Sequence, residues 1–131
     1  MIALLLVHGA TSEVAPERWT VLPVDGQVTL EPTRATIDAP RGQPVLLPVA
    51  GRVVTVREAP VAFVEIAHGD GFTTRFGHLE HVTVTLDENV AADQIIGRVG
   101  AGGSQTGPHI HIQLLRSGKE IDPAGLFPTH R

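Results

Sequence analysis

The stretch Val61-Ala-Phe-Val-Glu-Ile-Ala-His-Gly-Asp-Gly-Phe-Thr-Thr-Arg-Phe-Gly-His78 decides the fold. Two runs rich in apolar and β-branched residues, Val61 to Ala67 and Thr73 to Phe76, flank His68-Gly-Asp-Gly71. Asp-Gly supplies the positive φ angles that a tight antiparallel connection needs, so the segment is expected to fold as a β-hairpin. The same rhythm extends on both sides: Val45 to Val49, Val53 to Val56, Val82 to Leu86, Ile95 to Val99 and Ile110 to Leu115 are short apolar runs separated by turn residues. Seven such runs, with 14 glycines and 10 prolines as punctuation, predict an all-β domain, a compact antiparallel sheet or sandwich.

A length of 131 residues with 42% hydrophobic content suits one core and leaves no room for a second independent domain. Residues 1–33 lack a regular period and carry Pro16, Pro23 and Pro32, which predicts an extended N-terminal arm, with edge strands at most, ahead of a domain at 34–131. The start, Met1 to Val7, is apolar but too short to span a bilayer, and it lacks the basic residues of a signal-peptide n-region. A signal remnant, a buried first strand and an ordered arm all fit it. A net charge of −4 with no basic run, one Trp and no Tyr gives neither the electrostatic footprint nor the stacking platform of a nucleic-acid binder. The absence of Cys removes disulfides and thiolate metal sites.

Chemistry concentrates in Gly107-Pro-His-Ile-His-Ile-Gln113. Residues i and i+2 of a strand share a face, so His109 and His111 project together while Ile110 and Ile112 enter the core. A neutral imidazole serves as a metal ligand or as an acid/base group near pH 7. The local pattern fits two half-exposed sheet histidines equally well. His78 closes the strand after the Asp-Gly turn, where a side chain can reach a cleft, or where a strand simply ends. His68 and His81 read as solvated loop residues.

Taken together, Gly51-Arg-Val-Val54, Val64 through Leu79, Ile96-Gly-Arg-Val-Gly100, Thr106-Gly-Pro-His-Ile-His-Ile112 and Ile121-Asp-Pro123 resemble, in order and spacing, the lysostaphin-type (LytM) peptidoglycan metallopeptidase domain. The resemblance implies a duplicated, groove-bearing antiparallel β fold and a zinc endopeptidase acting on the peptide cross-links of bacterial cell walls. It also implies a periplasmic or extracellular setting. In that family zinc is held by a His and an Asp from an upstream His-x-x-x-Asp motif and by the second His of His-x-His. Carried over, His111 is a ligand, and His109 and His78 are the catalytic histidines.

The upstream motif departs from the pattern. In Arg34-Ala-Thr-Ile-Asp38-Ala-Pro-Arg-Gly-Gln-Pro-Val45, aligning Ile37-Asp38 makes Asp38 the second ligand and puts Arg34 at the first position. Aligning without a deletion puts Pro32 and Thr36 there instead. A guanidinium has no lone pair for a metal. Asp38 and His111 alone predict weak zinc binding, and an Arg34–Asp38 ion pair is expected to fill the vacated site. His8, His68 and His81 are the remaining imidazoles near enough in kind to substitute, though none stands at a matching position. The resulting expectation is a degenerate domain that binds peptidoglycan or a cell-wall hydrolase without cleaving, with zinc as cofactor only if it is active. The alternatives are an active zinc endopeptidase with a non-standard ligand set and, more remotely, a phosphohistidine-bearing β domain of a sugar-phosphotransferase system.

Overall fold

The computed structural model describes residues 15–101 and 107–128. The apolar start at 1–7 and most of the glycine-rich loop between Gly100 and Gly107 lie outside them. The described chain is almost wholly antiparallel β-sheet. Its strands are β1 (Gln27–Glu31), β2 (Arg34–Asp38), β3 (Pro44–Leu46), β4 (Gly51–Arg57), β5 (Ala62–Gly69), β6 (Phe72–Glu80), β7 (Asn89–Val90), β8 (Ile95–Val99), β9 (His109–Arg116) and β10 (Lys119–Ile121), followed by a 3₁₀ turn at Pro123–Leu126. The main path across the sheet runs β1-β2-β9-β6-β5-β4-β7, with β10 on β9 and β8 bridging β3 and β6. Among the described residues no helix is long and apolar enough to cross a membrane.

The β5–β6 hairpin turns at Asp70-Gly71, whose φ angles of 54° and 80° are both positive, as its sequence predicts. Ser117-Gly118, with φ of 51° and 81°, makes the same kind of turn between β9 and β10. Alternation then sorts the sheet into two faces. Ala35 and Ile37 of β2, Ile110, Ile112 and Leu114 of β9, Phe72 and Phe76 of β6, and Val64 and Ile66 of β5 are buried together. Trp19 completes this core from the N-terminal side, stacked on Phe76 at 6.1 Å and tilted against Phe127 at 5.1 Å. The boundary drawn at residue 33 therefore falls inside the β1–β2 hairpin, and the segment before it supplies a core aromatic.

One expected strand does not form. Val82 to Leu86 runs beside β8 through Thr83, whose N–H donates to Ile96 O at 3.1 Å and whose hydroxyl donates to Ile95 O at 2.9 Å, and builds no ladder. The left-handed backbone of His81, φ 54°, has already turned the chain off the line of β6.

Candidate metal and peptide-binding site

The outer face of the sheet carries the site. β2 pairs with β9 so that Thr36 lies opposite His111 and Asp38 opposite His109. Because residues two apart share a face, Arg34, Thr36 and Asp38 all project to the side that bears His109, His111 and Gln113. Next in the sheet, Gly77 of β6 sits opposite His111. A Cβ placed on Gly77 would meet the Cβ atoms of His111 and Phe63 only at 3.8 and 3.9 Å, so the missing side chain leaves a low floor between them.

His78 reaches the same place by a different device. Strict alternation after Gly77 would send its side chain toward the core. Here the β5–β6 register steps from Phe63↔Gly77 to Ala62↔Leu79, leaving His78 as an extra, bulged residue with φ of 59°. A bulge re-aims a side chain, and a non-glycine residue in the left-handed region is held there by its surroundings. What holds it is Gly100, whose N–H donates to His78 O at 2.9 Å, and whose own Cβ, if it had one, would lie 2.5 Å from that oxygen.

The three histidines converge. Ring centroids are 4.6 Å apart for His78 and His109, 4.4 Å for His78 and His111, and 4.7 Å for His109 and His111. One ring nitrogen from each lies within 4.8 Å of the others. His109 is buried, and its Nδ1 lies 2.8 Å from Gly107 O. A carbonyl can only accept, so Nδ1 is the donor there and Nε2 is left to face other groups. Burial, then the neighbouring His78, then Arg34 and His109 push His111 down to about 4. Burial, His109 and Arg34 likewise lower His78. Both imidazoles are therefore neutral at pH 7 and free to offer nitrogen lone pairs. A cleft of about 620 Å³ opens beside His78, edged by Glu58, Val61, Glu80 and Val82.

The upstream residues are arranged otherwise than their spacing suggests. Arg34 and Asp38 stand at the two ends of one regular strand, about 13 Å apart at the rise of an extended chain, and form no ion pair. Arg34 instead bonds Glu31, its partner across the β1–β2 hairpin, at 3.3 Å. Asp38 is exposed and outside the histidine group. Thr36, a residue the motif comparison placed at the Asp position only if no deletion is allowed, is the one that faces His111. Pro32 lies in the hairpin turn. His68 is not a solvated loop residue: its ring nitrogens lie 2.9 Å from Ala50 O and 2.7 Å from Thr74 Oγ1, which commits it to the structure. Sequence reading also missed the cross-strand row Glu65, Arg75 and Gln113 on the outer face of the sheet, where Arg75 bonds Glu65 at 2.8 Å and Gln113 at 3.2 Å.

The model of peptidase family M23 matches residues 33–123. The chain belongs to peptidase family M23. This M23 domain is 32% identical over 118 residues to peptidoglycan DD-endopeptidase ShyA of Vibrio cholerae, covering 88% of the chain and 24% of that protein. It is 36% identical over 103 residues to ShyB, a peptidoglycan DD-endopeptidase of the same organism, covering 76% and 24%. Among solved structures, a zinc containing peptidase from Vibrio cholerae superimposes with a TM-score of 0.70 at 28% identity, over 81% of this chain and 39% of that one. The M23 domain thus spans about a quarter of the length of the curated relatives it matches. M23 proteins are zinc metallopeptidases, and the imidazole donor set of this domain suits zinc. Among the described residues, the group of possible metal ligands comprises the three histidines and includes neither Arg34 nor Asp38.

Proposed function

We propose that this M23 domain is a non-cleaving cell-wall module, whose groove binds the peptide portion of peptidoglycan or a peptidoglycan hydrolase outside the cytoplasm. The observation that carries this reading is the β2–β9 register. An unbroken strand presents Arg34, Thr36 and Asp38, with Thr36 against His111; Thr36 takes the place of the family's metal-binding Asp when the motif is aligned without a deletion. A hydroxyl is a poor zinc ligand beside a carboxylate, and the guanidinium of Arg34 adds positive charge where a dication would sit. Affinity for a peptide survives such changes, because the groove floor from Phe63 through Gly77 to Gln113 does not depend on metal.

A second reading, an active zinc endopeptidase, is favoured by one observation: the bulge at His78 and the contacts of Gly100 still bring His78, His109 and His111 together. With metal bound, a Lewis acid would polarise the scissile carbonyl, while His78 and His109 would hold or move protons at the reacting oxygen. The two readings separate on purified cell-wall sacculi. Binding without release of new amino termini is expected. Release that stops on His109→Ala would overturn the non-cleaving reading.

A further inference from the structure

The geometry points to a zinc site of a different composition in this chain: His78, His109 and His111 together bind one Zn²⁺ as an all-imidazole set with an open fourth position. The inference builds on the proposed loss of the upstream ligands, but it concerns metal capture and not catalysis. Three features support it. The three ligand nitrogens lie within 4.8 Å of one another, and a tetrahedral ion at 2.0–2.1 Å from each needs them about 3.4 Å apart, a closure that small ring rotations supply. The Nδ1–H of His109 is anchored on Gly107 O at 2.8 Å, the backbone hydrogen bond that typically orients a metal-bound imidazole and leaves Nε2 facing the ion. Backbone geometry gathers the set in advance: β9 alternation presents His109 and His111, and the bulge turns His78 onto them.

Donor chemistry agrees. Three imidazoles packed ring to ring, His109 buried and His78 and His111 partly so, can turn three ring nitrogens toward one point. Nitrogen donors select a borderline transition ion over Ca²⁺ or Mg²⁺, which take oxygen. Capture in this mode agrees with the proposed non-cleaving reading, since the histidines that would serve acid/base chemistry are then occupied as ligands.

The test uses the whole chain stripped with chelator, reloaded with Zn²⁺ and desalted, with Co²⁺ as a spectroscopic stand-in. Close to one Zn²⁺ per chain is expected, along with the intense visible bands of tetrahedral Co²⁺. His78→Gln and His111→Gln should each weaken binding at least 10-fold, and Asp38→Asn should leave it unchanged. In the unmodified chain, Co²⁺ should shift the ring protons of three histidines in the NMR spectrum, a readout independent of whether any variant folds. Failure to retain Zn²⁺, or binding that survives His78→Gln and is lost in Asp38→Asn, would overturn the all-imidazole site. Cleavage of sacculi would instead overturn the non-cleaving reading, whichever ligands hold the ion.

Discussion

At the scale of single residues, Arg34 acts on the histidine site through its charge without entering it. It bonds Glu31 across the hairpin and so stays about 13 Å along the strand from Asp38, yet its charge still contributes to lowering both His78 and His111. Replacing it by Gln removes the charge and keeps the length. In Arg34→Gln both histidines should titrate at higher pH by NMR, and Zn²⁺ affinity should rise several-fold by competition with a chromophoric chelator. Unchanged titration would mean that solvent screens the guanidinium completely. Thr36 is the complementary position. Thr36→Asp places a carboxylate directly across from His111, and its Zn²⁺ affinity should exceed that of Arg34→His, whose new imidazole would stand two residues further along the strand, diagonal to His111.

At the scale of elements, the bulge in β6 and its brace at Gly100 place His78. Adding a methyl group at Gly100 would drive it to 2.5 Å from the His78 carbonyl and strain the hydrogen bond between them. Gly100→Ala should therefore lower stability by about 1–3 kcal/mol and displace His78 from the cluster. Gly77, one residue before the bulge, behaves oppositely. Its added Cβ meets only ordinary van der Waals contacts, so Gly77→Ala should change the melting temperature little while raising the groove floor between Phe63 and His111. Thermal melts of the two variants side by side, with sacculus binding measured on both, separate a brace from a floor. A large destabilisation in Gly77→Ala would mean the outer face is packed more tightly than its contacts indicate.

At the scale of the whole molecule, the histidine cluster makes stability depend on pH. His111 is held at about 4 when folded, against an ordinary value near 6.5, and His78 and His68 are lowered in the same direction. Between those values the unfolded chain binds more protons than the folded one, so stability rises with pH. In metal-free buffer the melting temperature should accordingly be flat above about pH 6.5 and fall as pH drops toward 4. In His111→Gln the slope through that window should flatten. A melting curve independent of pH over this range would show that the cluster is more hydrated than its burial implies.

What the sequence determined by itself was whatever short-range geometry controls. Asp70-Gly71 dictated a hairpin because few other dipeptides tolerate two positive φ angles. The alternation of Ile110 and Ile112 with His109 and His111 placed the imidazoles on one face because a strand has period two. The motif spacing also carried the family. Register was beyond its reach, because which β2 residue meets His111 depends on pairing between segments some 75 positions apart in the chain, where a shift of two residues exchanges Thr36 for Asp38 with no change in the hydrophobic pattern. Only the tertiary structure could therefore separate Arg34 from Asp38, tie His68 to Ala50 and Thr74, and halt Val82 to Leu86 short of a strand. The orientation of His78 was likewise settled there: its left-handed backbone is imposed by β5, β8 and Gly100 acting together, and no residue within the segment demands it.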